Sequence, residues 1–167
     1  MTITIQQASR QDLEIVNELV LEYLRWDVGR AKEVLGEIVD VNEMLNHSTS
    51  EMDLFFAPTG RLLLAKEGER VAGTAFLKKL REDTCEIKRM YVRPEFRGKK
   101  VGKNLLSQLI QDAKLIGYSK ILLDSAIYME KAHSLYRSMG FIEVDRYPES
   151  EMDLDFQKYM VYMELKL

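Results

Sequence analysis

One segment constrains the fold of this chain more than any other. In it, an apolar run ends in a basic, glycine-containing turn and continues as a helix. Residues 86–92 have the composition of a strand, and residues 100–116 carry apolar side chains at helical spacing. A helix that starts from such a turn presents free backbone N–H groups and the positive end of its dipole. The segment therefore predicts an anion site, most often a phosphate site, at the start of the helix.

Positive charge is concentrated in the same segment. Residues 88–103 contain seven cations and one acid, a net charge of +6, whereas the whole chain carries −3. This local excess favours one bound polyanion and argues against a general nucleic-acid binder. A nucleotide P-loop is disfavoured, because residues 98–104 are one residue short of that motif and lack its Ser or Thr.

The apolar pattern predicts a single α/β domain over residues 1–167 with a mixed, mostly antiparallel sheet of about seven strands and about four helices. The expected strands are residues 2–7, 61–67, 71–80, 84–92, 120–124, 141–144 and 158–165. The expected helices are residues 10–26, 100–116 and 130–139, with a further helical stretch of poorly marked ends in 32–45 and a polar loop at 47–51. Short turns indicate an antiparallel meander, and the strand–helix–strand path after it places two neighbouring strands parallel.

Cysteine count and hydropathy bear on the compartment. The single cysteine, Cys85, cannot form an internal disulfide, which favours a reducing environment, and we expect a cytoplasmic protein. Residues 1–7 lack the features of a signal peptide, and no apolar stretch approaches bilayer length, so no membrane partner is expected. One cysteine and two histidines at scattered positions predict no metal site.

Two motifs make this chain resemble the GNAT-type N-acetyltransferases. Residues 86–106 resemble the acetyl-CoA-binding motif of that superfamily, with Arg97 and Gly102 at two of its loop positions. Residues 132–141 resemble the second signature, and the order of the expected elements fits as well. There are two departures. Lys100 stands where the loop usually has a glycine, and Met129 stands where an asparagine is often found.

The resemblance implies direct transfer of an acetyl group from acetyl-CoA, as co-substrate and without a metal, to a primary amine. It also implies that the two central parallel strands splay into a V, where main-chain groups would bond the pantetheine arm and the loop would hold the pyrophosphate. The acceptor would be a small-molecule or peptide amine, and homodimers are common in the resembling family. The expected acetyl-CoA-binding residues are Met90, Tyr91, Val92, Arg97, Gly98, Lys99, Lys100, Val101, Gly102 and Lys103.

Two residues are the candidates for proton transfer. Tyr136 is the expected general acid, because an ordinary tyrosine pKa of about 10 matches a departing thiolate; its alternative role is core packing. Glu86 is the expected base for the amine, with a solvated surface carboxylate as the alternative. Strand alternation predicts that Glu86 shares a face with Lys88, Met90 and Val92.

Several alternatives stay open at the level of sequence. A catalytically idle acyl-CoA-binding sensor on the same fold is the alternative function. Acidic residues between 145 and 155 form either a solvated loop or an attraction for a cationic amine, and Tyr23 and Trp26 belong either to the core or to an acceptor pocket. His133 is expected on a helix surface, and Cys85 is expected to be an ordinary strand residue.

Overall fold

A seven-stranded sheet forms the centre of the protein in a computed structural model that describes residues 2–167. The strands in chain order are β1 Ile3–Gln7, β2 Arg61–Glu67, β3 Arg70–Arg81, β4 Thr84–Val92, β5 Lys120–Ala126, β6 Ile142–Val144 and β7 Met160–Lys166. Their spatial order is β1-β2-β3-β4-β5-β7-β6. All neighbouring pairs are antiparallel except β4 and β5. The predicted mixed sheet with one central parallel pair is confirmed.

Four helices accompany the sheet. They are α1 Leu13–Leu35, α2 Val41–Ser50, α3 Val101–Ile116 and α4 Glu130–Ser138. The first helix continues past residue 26, where the sequence predicted its end, and it stops only at Gly36, whose φ of 72° forms a left-handed cap. Within the described residues, none of the helices is long and apolar enough to cross a bilayer.

The loop predicted at residues 47–51 is wrong, because most of it is the last turn of α2. The Asp40 side chain accepts hydrogen bonds from the backbone N–H groups of Asn42 and Glu43 and so caps the helix start. Ser48 is buried, whereas the polar residues around it face solvent. A short amphipathic helix of this composition has the polar content of a loop, which explains the error.

The helices cover opposite faces of the sheet. On one face, α3 and α4 pack on a core that includes Cys85 and Ile87 of β4. On the other face, α1 and α2 pack on a core that includes Phe55 and Phe76, whose rings are 4.9 Å apart. Cys85 is a buried strand residue as predicted, and burial raises the pKa of its thiol to about 12.

The parallel pair of strands separates soon after it forms. β4 and β5 pair over three positions only, ending at Glu86 opposite Leu122. Beyond that point β4 stays with β3 as far as Val92, and β5 stays with β7 as far as Ala126. The two strands therefore diverge, which confirms the predicted V-shaped splay and leaves one edge of each strand without a ladder partner.

A β-bulge in β4 changes which side chains share a face. Between the pairs Thr74–Tyr91 and Phe76–Lys88, β3 has one residue and β4 has two, Arg89 and Met90. Arg89 has a φ of +47°. As a consequence, Met90 and Val92 pack on the α3 side with Ile87, and the prediction that they share a face with Glu86 and Lys88 is wrong.

Gly73 on β3 tests how tightly the bulged segment is packed. A Cβ at this position would lie 2.4 Å from the Tyr91 carbonyl oxygen, a backbone atom that cannot move alone. We expect Gly73→Ala to lower the free energy of unfolding by about 1–3 kcal/mol, measured by urea denaturation.

The control for this substitution is Gly29→Ala in α1, where an added Cβ meets nothing within 4 Å. It should raise the free energy of unfolding by up to about 1 kcal/mol, since alanine is the better helix former. Equal urea midpoints for Gly73→Ala and the wild type would contradict the close approach.

Candidate active site

The basic turn leads into α3 with an unusual backbone. Gly98 and Lys100 both lie in the left-handed region, with φ values of 80° and 62°. Lys100 is the N-cap of α3 and contributes no capping side-chain hydrogen bond. The first N–H groups of this 16-residue helix therefore remain available to an anion. The position where a glycine is usual is one that requires positive φ, and the lysine adopts it.

Only part of the local positive charge is left unpaired. Lys88, Arg89, Arg93 and Lys99 each contact a carboxylate from another part of the chain. Among residues 2–167 no carboxylate lies within 4 Å of the three other cations of the segment. Those cations are Arg97, Lys100 and Lys103, and Arg97 donates to the Val92 carbonyl at 3.1 Å. Of the seven cations in the segment, three therefore remain without a carboxylate partner beside the helix start.

The splay between β4 and β5 opens into a cavity of about 490 Å³. The second half of α1, α2 and α4 contribute to its wall. The remaining wall comes from residues 87–90 of β4, residues 123–126 of β5 and residues 151–160. Most of the side chains in the wall are apolar. The cavity begins where the two strands part, so a group lying between the strands reaches it directly.

Tyr136 lines this cavity, as the prediction of a role in catalysis requires. Its side chain is almost fully buried, and burial raises its pKa, with the nearby Asp124 adding to the effect. The hydroxyl is therefore protonated at neutral pH, but its raised pKa matches a departing thiolate less well than an ordinary tyrosine pKa would, and the role of general acid stays a prediction. Its ring also packs on Phe141, with centroids 5.7 Å apart.

The start of α4 is tied to β5 by a buried polar contact. His133 Nε2 lies 3.0 Å from Ser125 Oγ, and Ser125 Oγ lies 3.4 Å from Met129 Sδ. His133 is 4% exposed, so its predicted place on a helix surface is wrong. Burial lowers the pKa of His133, which keeps the ring neutral in this contact. One turn later on the same helix is Tyr136, whose position depends on how α4 is anchored.

Glu86 lies beneath the cavity floor and not in its wall. Its side chain has no exposed surface, so the alternative of a solvated carboxylate is wrong. The Tyr147 hydroxyl donates to it at 2.6 Å, and Lys88 Nζ lies 3.3 Å away. Burial raises the pKa of the Glu86 carboxyl, although Lys88 opposes this. That Glu86 accepts a proton from the amine stays a prediction.

A network of buried charges surrounds Glu86. Lys78 Nζ contacts Glu51 at 2.9 Å and also bonds Glu151. These two carboxylates and His47 lie close enough together to bind a metal ion, but the Lys78 ammonium already occupies carboxylate oxygens of the group. Burial by itself would raise the pKa of Glu151, but Lys88 and Lys78 hold that pKa well below its usual range. The network joins four carboxylates, Glu51, Glu86, Asp124 and Glu151, to three cations, Lys78, Lys88 and Arg89.

The acidic run after β6 is only partly paired. Glu149 pairs with Arg81, and Glu151 pairs with Lys78 and Lys88. Asp145, Asp153 and Asp155 are exposed, as a solvated loop requires, and no cation lies within 4 Å of them among residues 2–167. Asp153 also lines the cavity, so the attraction of a cationic amine stays a prediction.

Asp27 and Tyr128 line the cavity, and neither was among the residues predicted for the site. Asp27 lines the wall and accepts a hydrogen bond from Tyr128 at 2.6 Å. Because the first helix was predicted to end at residue 26, Asp27 was not placed on it. Asp27 lies four residues after Tyr23 and therefore on the same helix face. Tyr23 lines the cavity, whereas Trp26 lies outside it and packs edge-on against Tyr128 with centroids 6.4 Å apart.

Comparison with known proteins agrees with this geometry. The family model of the acetyltransferase (GNAT) family matches residues 21–141. An uncharacterized N-acetyltransferase of Schizosaccharomyces pombe is 30% identical over 159 residues, which cover 94% of this chain and 90% of that protein. An uncharacterized N-acetyltransferase of Dictyostelium discoideum is 42% identical over 83 residues, but these cover 50% of this chain and 37% of that protein.

A solved structure shares the whole fold. The PaiA N-acetyltransferase of Thermoplasma acidophilum, solved in complex with coenzyme A, superposes with a TM-score of 0.69 at 23% identity. The match covers 100% of both chains. At this level of identity the likeness establishes the fold alone.

Lys100 provides a test of the loop geometry. An L-residue in the left-handed region costs about 1–2 kcal/mol, a cost that glycine does not carry. Lys100→Gly should therefore raise the free energy of unfolding of the ligand-free protein by about 1 kcal/mol, measured by urea denaturation.

Lys103→Gly is the matched control, because Lys103 lies in the first turn of α3 and its φ is not positive. This substitution should lower the free energy of unfolding by up to about 1 kcal/mol. If both substitutions were equally destabilising, the left-handed conformation at residue 100 would be wrong.

Proposed function

The chain belongs to the acetyltransferase (GNAT) family and is an N-acetyltransferase, and on that premise we propose that it acetylates a primary amine bound in the cavity beside Tyr136. The observation that carries this proposal is that two sites adjoin the same stretch of β4 beyond its last pair with β5. The uncapped start of α3 adjoins Val92, whose carbonyl accepts a hydrogen bond from Arg97, and residues 87–90 line the largely apolar cavity that has Tyr136 in its wall.

Acetyl-CoA fits the first of these sites and would supply the thioester whose acetyl group is transferred. The N–H groups of Val101, Gly102 and Lys103 at the start of α3 suit a pyrophosphate, as does the positive charge of Arg97 and Lys100. The Lys99 side chain contacts Glu67 at 3.0 Å, so its contribution would be the backbone N–H. Gly98 has open space where a side chain would lie, which leaves room for a close approach.

The edge of β4 would hold the pantetheine arm. Beyond Glu86 this edge has no partner in the sheet, and an extended ligand can add to it as a strand would. We assign this role to Met90, Tyr91 and Val92, of which Val92 already accepts a hydrogen bond from Arg97. The bulge at Arg89 turns the backbone just before these residues, so the Met90 and Tyr91 main-chain groups are the principal candidates.

Tyr136 is proposed as the general acid. When the amine attacks the thioester carbonyl, the carbon–sulfur bond breaks and the departing sulfur needs a proton. Tyr136 carries that proton at neutral pH and lines the cavity where the attack would take place. Because burial disfavours a tyrosinate, the hydroxyl would regain its proton at the end of each cycle.

Glu86 is proposed as the final acceptor of the amine's proton. Because its carboxylate is fully buried, the transfer would run through a group or a water molecule between it and the cavity. Lys88 connects Glu86 to the wall, since it lines the cavity and its Nζ lies 3.3 Å from the Glu86 carboxylate. The raised pKa of Glu86 makes it a stronger base than Glu151, whose pKa is lowered.

We propose that residues 1–167 act as one N-acetyltransferase domain in the cytoplasm, on a small-molecule or peptide amine and without a metal or nucleic-acid partner. Support comes from the single sheet that includes all seven strands and from a reaction that needs only an acid, a base and the thioester. A homodimer is proposed as the assembly on the family resemblance.

Tyr136→Phe tests the proposed acid. It should lower kcat about 10²- to 10⁴-fold while leaving the Kd for acetyl-CoA little changed, because it removes a proton donor and no other bulk. The measurement is thiol release from acetyl-CoA with an amine found in an acceptor screen of the wild type.

Tyr118→Phe is the control for this test, since the Tyr118 hydroxyl is bonded to the Thr59 carbonyl, far from the cavity wall. It should keep the wild-type kcat. Undiminished thiol release by Tyr136→Phe would show that Tyr136 is not the acid.

Glu86→Gln tests the proposed base with two acceptors. The kcat/KM for an ordinary alkylammonium acceptor should fall about 10²-fold. Hydrazine, which is largely unprotonated in mildly alkaline buffer, has no excess proton to lose before attack and should show a much smaller loss. A merely structural role for Glu86 would lower both values equally and would refute the assignment. Glu82→Gln, at an exposed acid that pairs only with Lys79, serves as the control.

A further inference from the structure

The Asp27 carboxylate is a negative charge in the cavity wall that the protein leaves uncompensated. Its hydrogen-bond donor is the Tyr128 hydroxyl, at 2.6 Å from Oδ1. Among residues 2–167, no lysine, arginine or histidine nitrogen lies within 4 Å of it. Arg30, one turn later, pairs with Glu33 at 2.6 Å instead. Burial raises the pKa of Asp27, and the bond from Tyr128 only partly offsets this. A cation arriving at Asp27 would therefore be stabilised.

The opposite holds for a carboxylate arriving in the same cavity. The cations in its wall, Lys88 and Arg89, are already paired with carboxylates of the chain. Around them four carboxylates face three cations, so the network has no spare positive charge. A substrate carboxylate would need to displace one of these pairs and would be repelled by the rest.

The cavity wall also carries a set of apolar side chains. They come from α1, the turn after it, α2 and the segment before β7, which also contribute the acids Glu43 and Asp153, and they are Leu24, Val28, Leu35, Val39, Met44 and Phe156. An acceptor with an apolar body can desolvate against these side chains while its charged end remains at Asp27.

Asp27 shares its cavity with the proposed acid. Asp27, Tyr23 and Tyr136 all line the same wall. Burial raises the pKa of Tyr23, and the negative charge of Asp27 adds to the effect. An ammonium group bound at Asp27 is therefore inside the cavity in which the transfer is proposed.

From these observations we infer that Asp27 and Tyr128 form the binding subsite for the ammonium group of the acceptor, and that the acceptor is a primary amine with an apolar body and no carboxylate. The inference rests on the proposed function, because it names the class of amine for the same cavity. Asp27 binds the ammonium group of the acceptor, and the apolar side chains of the wall contact its apolar body. Lys88 and Arg89 are already paired with carboxylates of the chain, so the carboxylate of an amino acid finds no free cation.

Three matched ligands test the inference. They are 2-phenylethylamine, phenylalanine amide and phenylalanine, which share an amine and a ring and differ in the group on the neighbouring carbon. Binding to the complex of the protein with coenzyme A is measured by calorimetry, and thiol release from acetyl-CoA is measured separately. We expect 2-phenylethylamine and phenylalanine amide to bind at least tenfold more tightly than phenylalanine.

Two variants locate the charge. Asp27→Asn keeps the shape and removes the charge, and it should weaken 2-phenylethylamine binding about 10- to 100-fold. Tyr128→Phe keeps the charge of Asp27 and should have a smaller effect. Glu14→Gln, at an exposed acid of α1 outside the cavity wall, should bind as the wild type does. An unchanged Kd for coenzyme A shows that each variant is folded.

The outcomes separate the two proposals. The subsite is overturned if Asp27→Asn binds 2-phenylethylamine as tightly as the wild type, if phenylalanine binds equally well, or if the wild type binds no amine at millimolar concentration. If the amine binds and requires Asp27 but no thiol is released, the subsite stands and the proposed acetyl transfer fails.

Discussion

The short pairing of β4 with β5 is the constraint on which the rest of this structure depends. Three residue pairs hold the two strands together at one end, and antiparallel partners on their outer sides then draw them apart. Separation leaves backbone groups unpaired inside the protein, which is costly unless a ligand or water satisfies them. The same gap admits the cavity, and Val92 at the end of β4 accepts a hydrogen bond from Arg97 beside the start of α3. A binding site is therefore built into the way the sheet closes.

Charge compensation gives the two sides of the splay different preferences. Near α3 three cations have no carboxylate partner, which suits a polyanion. In the charge network around Glu86, the carboxylates of Glu51, Glu86, Asp124 and Glu151 outnumber the cations, and Asp27 in the cavity wall has no cation within 4 Å among residues 2–167. One molecule thus offers positive charge on one side and negative charge on the other, which supports the proposed reaction between acetyl-CoA and a cationic acceptor.

Local patterns predicted most of the fold and part of the site. The strands of the meander, α3 and the anion loop follow from periodicity and glycines, and Tyr136 follows from the family resemblance. Errors arose where distant residues decide the outcome. The bulge at Arg89 reverses the alternation of β4, and a bulge depends on the register with β3. Glu151 looked like a surface acid until the fold placed it on Lys78 and Lys88.

By itself, the sequence determined the elements that are stabilised by their own neighbours along the chain, such as the apolar stripe of α3 and the glycine-bearing turn before it. Tertiary structure alone decided the charge state and accessibility of the site. Seven cations cluster in the sequence, yet four of them are neutralised by carboxylates more than 30 residues away. Asp27 became a candidate only because α1 continues into the cavity wall. Electrostatic pairing acts through space, so a pattern along one chain segment cannot contain it.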